Sequence, residues 1–217
     1  MPPVVSIVGK SGAGKTALME RLIAEFRKRG YRIAAVKHSV GGMEIDRPGK
    51  DSWRFAQAGS EVVTVSSPEK LAFIKSMDHD PSIEEILHII GHDFDLVLAE
   101  GFKRGNAPKI EVHKRELGED LQCSVKELSA VVSDQSLDID LPQFSMDDIP
   151  AIADFIEKNF VLKAEGDIAL FVNGKQISVK PFVKDIIAKA LLAMVSTLKG
   201  VREIRNLDIS IRNKPER

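Results

Sequence analysis

A chain of 217 residues with 31 basic and 32 acidic side chains and a net charge of −1 has no general excess of cations for holding nucleic acid or an anionic membrane surface. Its 43% hydrophobic and 29% charged residues are a globular composition, not a disordered one, and a single cysteine, Cys123, excludes an intrachain disulfide and suits a reducing compartment. No apolar run reaches the roughly 18 residues of a membrane span, and Met1-Pro2-Pro3 leads straight into an apolar segment with no room for a signal peptide, so a soluble, cytoplasmic protein without nucleic-acid or membrane partners is expected.

In chain order, Val4, Val5, Ile7 and Val8 predict a buried strand over 4–8. Leu18, Leu22 and Phe26, with Met19 and Ile23 beside them, form one apolar stripe and predict a helix over about 15–29. Arg27, Lys28, Arg29 and Gly30 supply its stop: cations at the negative end, then a glycine. Ile33–Val36 reads as a second strand, followed by a polar loop over 38–50 and a short helix capped by Asp51 or Ser52 and ending near Gly59. Glu61–Val65 and Leu71–Lys75, joined around Ser67-Pro68, predict an antiparallel pair, because so short a connection cannot make a parallel crossover.

Ser82-Ile83-Glu84-Glu85 is a capping box, and Ile83, Ile86, Leu87 and Ile90 continue it as a helix that Gly91 stops. Phe94–Gly101 holds a buried strand ending in Glu100. Ile110–His113 and Ala130–Val132 add two more, and Ser145 with Asp148 caps a helix running to about Phe160. Beyond it, Ile168–Val172 and Gln176–Val179 flank Asn173-Gly174 as a hairpin. A helix over Phe182–Leu198 and an alternating strand over Ile204–Ile211 complete a β-β-α-β tail. Strands alternating with helices call for a mainly parallel sheet covered on both faces. The expected layout is an α/β nucleotide-binding domain over 1–160 and a small α+β extension over 161–217.

The most informative stretch is Gly9-Lys10-Ser11-Gly12-Ala13-Gly14-Lys15-Thr16, a full match to G-x-x-x-x-G-K-[ST] between a strand and a helix. Its backbone N–H groups and the helix N-terminus suit phosphates. Lys15 is expected on the β/γ-phosphates and Thr16 on Mg²⁺. The fold class expected is thus a P-loop NTPase. The magnesium ion also wants an acid at the tip of a neighbouring buried strand, and Glu100 fits; Asp95, at the start of that strand, lies at the wrong edge. Asp46, in the loop after the second strand, suits a metal-bound or attacking water, or is simply a turn former before Arg-Pro-Gly.

Lys37 and His38 end the second strand at the active edge and read as phosphate or substrate contacts, or as ordinary polar strand ends. Lys10 reads as a solvated loop lysine or as a reach to a partner subunit's phosphates. Lys103, Arg104, Lys109, His113, Lys114 and Arg115 make a basic segment facing an anionic ligand or solvent. No Asn-Lys-x-Asp guanine reader is present; Asp134, after Ser133, is placed to read a guanine edge. His79, His88 and His92 show no metal-ligand spacing.

The first ~160 residues resemble the molybdopterin-guanine dinucleotide biosynthesis protein B (MobB) family. The resemblance rests on Val8–Thr16 with Ala17-Leu18, on Val36-Lys37-His38, on Ile45-Asp46-Arg47-Pro48-Gly49-Lys50-Asp51-Ser52 with Trp53-Arg54, on Ala58-Gly59, and on Leu96–Lys103 with Pro108-Lys109-Ile110-Glu111-Val112. It implies a dimeric, weakly hydrolysing GTP-binding adapter that assists attachment of GMP to molybdopterin, with the transfer done by a MobA-type guanylyltransferase. Residues 9–17 would bind GTP, with Lys15, Asp46 and Glu100 as catalytic groups and Thr16, Asp46 and Glu100 on Mg²⁺. Lys37, His38 and 47–52 would border the nucleotide or molybdopterin. Ser39-Val40-Gly41-Gly42 replaces a second histidine that relatives carry, and the tail lies outside the family pattern, as a surface for the dimer or for molybdoenzymes. The alternatives left open are a P-loop small-molecule kinase, although no arginine-rich lid is readable, and a nucleotide-binding module without turnover.

Overall fold

The computed structural model describes residues 1–39, 41, 46–91, 93–163, 168, 170–172, 175–202, 204 and 207–211, without the side chains of 175 and 176. Ile45, His92 and the Asn173-Gly174 turn, all used in the sequence reading, lie outside these. Strand β1 (Val4–Val8) leads through the glycine loop into helix α1 (Lys15–Lys28) and on to β2 (Ile33–Lys37), α2 (Asp51–Gln57), β3 (Val62–Ser66), β4 (Leu71–Lys75) and α3 (Ile83–Ile90). The chain continues with β5 (Leu96–Glu100), β6 (Lys109–His113), β7 (Leu128–Ser133), the two-residue β8 (Gln143–Phe144) and α4 (Ile149–Ile156). The tail gives β9 (Leu170–Val172), β10 (Lys175–Ile177) and α5 (Pro181–Ser196).

Six strands make one sheet in the order β2-β5-β1-β6-β7-β8, every neighbouring pair parallel. Such strands are buried on both faces, which is why they read as continuous apolar runs. Residues 5 and 7 of β1, 96 and 98 of β5 and 110 and 112 of β6 pack under α1 and α4, through Leu18, Leu22, Phe26, Ile152 and Ile156. On the other face α3 covers Ala34, Val36, Val97 and Ala99. Beyond β1, that face is covered by loop residues Leu121, Cys123, Leu137, Ile139 and Leu141 over Val8, Leu128 and Val131. The expected helical cover is therefore complete on one face and shared with loops on the other.

Local chemistry explains the boundaries. The capping box at Ser82 and Glu85 is present in both directions, and Asp148 caps α4 by accepting from Ala151 N–H. Arg29 binds Glu25, Asp154 and Glu157 at 2.9, 2.7 and 2.7 Å, tying α1 to α4. Four details correct the sequence reading. Lys50, not Asp51 or Ser52, holds the cap position of α2, without a side-chain bond. The helix expected to reach Phe160 is α-helical only to Ile156 and then makes a π turn over Glu157–Val161. The antiparallel pair runs one residue later on its first strand and forms a sheet of its own. Residues 204 and 207–211 carry no strand, so among the described residues the tail is β-β-α; alternation alone does not make a strand without a neighbour to pair with. Among the described residues no helix is long and apolar enough to cross a membrane.

Candidate functional site: the phosphate loop and the tips of β1, β2 and β5

β1 is where the sheet order reverses: the chain goes from it to β2 beyond β5 on one side, and β6 lies on the other. Crevices at the carboxyl ends of strands around such a point are where open α/β sheets bind ligands. The loop over 9–14 sits there and is held close. A Cβ on Gly9 would lie 2.3 Å from the Val112 carbonyl oxygen of β6, so only glycine permits the approach. Gly14, in left-handed conformation at φ 99, occupies the cap position of α1 with no side-chain cap, and the first turn carries no acid. Among the described residues, the first N–H groups of α1 thus have no side-chain cap and no carboxylate in their own turn, the arrangement that suits an incoming anion.

Glu100, at the tip of β5, pairs in register with Ile7 of β1 and Lys37 of β2. Its two oxygens go to two sides: the Thr16 hydroxyl donates to Oε2 at 2.9 Å, and the Lys37 ammonium lies 3.6 Å from Oε1. Glu100 is 14% exposed and Lys37 67%. Lys15 donates to the Lys10 carbonyl at 2.9 Å. Burial pushes its ammonium below the ordinary lysine range; the Glu100 charge opposes this, and Lys103 and Lys37 add to it. Two hard oxygens 2.9 Å apart, from Thr16 and Glu100, have the separation of adjacent corners in an octahedron with metal–oxygen bonds of roughly 2.1 Å, and hard oxygens are what Mg²⁺ takes. These two residues fit the ion.

The other expected residues are placed as follows. Asp46 accepts from Arg47 N–H at 2.8 Å and from Ser52 Oγ at 3.0 Å; among the described residues no hydrogen bond joins it to Thr16 or Glu100. Lys10 is half-buried and donates to the Leu117 carbonyl at 2.9 Å. Asp134 accepts from Arg115 N–H at 3.1 Å, so the turn Arg115–Leu117 links the loop to the tip of β7. His38 binds Asp80 at 2.9 Å through Nε2 and packs its ring 4.8 Å from that of Phe102.

Several participants escaped the sequence reading. Phe102 has φ 53, directly after Gly101 at φ 98; a bulky residue in the left-handed region is a strained outlier. A Cβ on Gly101 would meet His38 Cβ at 3.2 Å, so the turn leaving β5 is packed against the tip of β2. Glu111, 1% exposed in the middle of β6, accepts from the N–H groups of Gln122 and Cys123 at 2.6 and 3.0 Å, and the Gln122 side chain holds Lys103. A signal existed: a carboxylate between two apolar residues of a strand buried on both faces must find donors. Burial, with the charges of Glu111 and Glu127, pushes the Cys123 thiol up, away from reactivity.

The family profile described as "Molybdopterin guanine dinucleotide synthesis protein B" (MobB) matches residues 4–134. A molybdopterin-guanine dinucleotide biosynthesis adapter protein of Haemophilus influenzae is 38% identical over 156 residues, 71% of this chain and 88% of its own length. The chain is a member of the MobB family. The crystal structure of Bacillus subtilis MobB covers 73% of this chain and 98% of its own, at 26% identity and a TM-score of 0.59. A putative adapter protein of the same description from Methanocaldococcus jannaschii is 28% identical and covers 96% of this MobB chain and 97% of its own length, so that match takes in most of the tail.

Proposed function

We propose that this MobB chain binds Mg²⁺·GTP and serves as an adapter in formation of molybdopterin guanine dinucleotide, the role that names its Haemophilus influenzae relative. The observation that carries the reading is the Thr16–Glu100 pair at 2.9 Å beside an uncapped α1 N-terminus. In it, Lys15 leaves the Lys10 carbonyl for the β/γ-phosphates, the N–H groups at the start of α1 cradle them, and Thr16 and Glu100 hold Mg²⁺. Held there, the ion would supply charge neutralisation for the phosphates. Asp46 then belongs to a segment that reorders toward the terminal phosphate, and its release on slow hydrolysis changes partner affinity. Asp134, beyond the Lys10–Leu117 and Arg115–Asp134 links, stands on the base side. Molybdopterin borders Lys37 and His38, a MobA-type guanylyltransferase performs the transfer, and the working form is a cytoplasmic homodimer. Residues 161–217 form an appended unit on the nucleotide-binding domain.

The test is direct titration of fluorescent GTP and ATP analogues with Mg²⁺. Wild type takes up GTP in preference to ATP, and both Lys15→Ala and Thr16→Ala lose at least tenfold in affinity while unfolding at the wild-type midpoint. Absence of uptake of either nucleotide by the wild type refutes the reading.

A further inference from the structure

The phosphate loop carries a second lysine besides Lys15. The main-chain carbonyl of Lys10 accepts from Lys15 at 2.9 Å. Its own ammonium leaves the loop for the Leu117 carbonyl, also at 2.9 Å and 107 residues along the chain. Among the described residues that ammonium makes no ion pair. A cation donates to a carbonyl more strongly than a neutral group does, and what this one holds is a single short turn.

The turn lies over Arg115–Leu117, just past the end of β6. β6 is the neighbour of β1, and its Val112 carbonyl closes against Gly9, so the turn stands beside the phosphate loop at the same edge of the sheet. It is closed by its own bonds, Leu117 N–H to the Lys114 carbonyl and Gly118 N–H to the Arg115 carbonyl, both at 3.0 Å. The Leu117 side chain packs against the core that α1 and α4 cover. Lys10 closes the side toward the loop: a Cβ on Gly118 would lie 2.9 Å from its Nζ. The other end of the turn meets the tip of β7. There the Arg115 N–H donates to Oδ1 of Asp134 at 3.1 Å. Among the described residues no hydrogen bond holds Oδ2. Two bonds and one turn therefore run from the phosphate loop to one oxygen of the carboxylate, and leave the other for a ligand.

We infer that Lys10 is a positioning residue for base recognition: it clamps the turn Arg115–Leu117, and the turn aims Asp134 at the base of a nucleotide whose phosphates lie on the loop. This rests on the nucleotide reading above. A carboxylate fixed relative to the phosphates rejects a base that presents the wrong edge, because it cannot move to pair with it. Lys10 touches no part of the base and acts through Asp134.

The experiment measures, by calorimetry on the full chain, the affinities for Mg²⁺·GTP, Mg²⁺·ATP and magnesium tripolyphosphate, which has phosphates and no base. The wild type prefers GTP to ATP. Lys10→Met keeps the length of the side chain and removes the ammonium. It lowers that preference about fivefold, in keeping with the loss of one hydrogen bond, while tripolyphosphate affinity and the unfolding midpoint stay at the wild-type values. Lys10→Ala repeats the measurement, so that a folding defect peculiar to one variant does not decide it. Lys10→Arg, which restores a charged donor, regains most of the preference. In an Asp134→Ala background Lys10→Met has no further effect on the preference, since the lysine acts through that carboxylate. Weakening of GTP, ATP and tripolyphosphate alike assigns the ammonium to the phosphates and overturns the inference. An unchanged preference, a loss that persists in the Asp134→Ala background, or a wild type that binds both nucleotides equally also overturns it, and each leaves nucleotide binding itself standing. A wild type that takes up neither nucleotide nor tripolyphosphate refutes the nucleotide reading and removes the inference with it.

Discussion

The central strands and the tail helix are built from similar apolar residues and end in opposite states. In β5, Leu96, Val97, Leu98 and Ala99 are wholly buried, each face of the strand meeting a covering layer. In α5 no residue is buried, and Phe182, Ile186 and Met194 are exposed by half or more. At 100° per residue, Phe182, Val183, Ile186 and Met194 fall on one side of α5, and Ile187, Leu191 and Val195 on the adjoining side, where they are half-buried. The strands are over-determined by neighbours; the tail touches the domain chiefly through β10 against α3 and the stacked rings of His88 and Phe171, 3.9 Å apart. Apolar content alone does not tell which segment is core, because a core residue is made by what lies against it.

The contrast breaks most visibly under truncation of a side chain. Leu98→Ala is expected to cost about 2–5 kcal/mol of unfolding free energy, the range for a well-packed buried leucine. Phe182→Ala, at a residue 74% exposed, is expected to stay within about 0.5 kcal/mol. Urea titrations followed by circular dichroism compare the two, and equal losses would place α5 in the core.

Next comes the joint between α1 and α4. Arg29→Ala removes three charge-assisted contacts from a side chain 21% exposed and is expected to cost about 1.5–3 kcal/mol. The hydrogen bonds from Tyr31 and Arg29 hold the Glu157 carboxyl below its ordinary value of 4.5. Its contribution is therefore present above that value and lost as pH falls through the lower folded-state pKa. Unfolding midpoints measured from pH 7 downward should converge for wild type and Glu157→Gln at the acid end.

At the strand tip, Glu100→Gln should weaken Mg²⁺-dependent GTP uptake about tenfold, equivalent to about 1.4 kcal/mol, with little change in unfolding midpoint. That separates a residue of the site from one of the core in the same strand. The smallest effect is expected at the tail. Phe171→Ala removes a ring contact of about 0.5–1.5 kcal/mol and should speed amide exchange in Leu170–Val172 and Lys175–Ile177 while leaving β1 and β5 unchanged. Faster exchange throughout would mean that the hairpin is part of the cooperative core.

Much of the site was legible because its signals are local. Gly9–Thr16 needs only its flanking strand and helix to be read, and Glu100 only an apolar run that ends in an acid. The relation between Thr16 and Glu100 was inferable, since both sit at carboxyl ends of parallel strands or just beyond. The contact that Lys10 makes was not legible, because its partner is a main-chain carbonyl 107 residues away at Leu117, and carbonyls carry no side-chain signature. His38 with Asp80, and Lys103 with Gln122, are of the same kind: ordinary residues whose meaning comes from being brought together.

By itself the sequence determined the alternation of strands and helices, the capping boxes and glycine stops, the phosphate loop and the acid that faces it. These depend on residues a few positions apart, whose preferences are fixed by backbone sterics and by hydrophobic periodicity. Only the tertiary structure decided the strand order, the pairing of Lys37 with Glu100, the strained turn at Phe102, the buried anchor at Glu111 and the exposure of α5. Each of these depends on which distant segments share a strand edge or a covering layer, and that is settled by the packing of the whole chain.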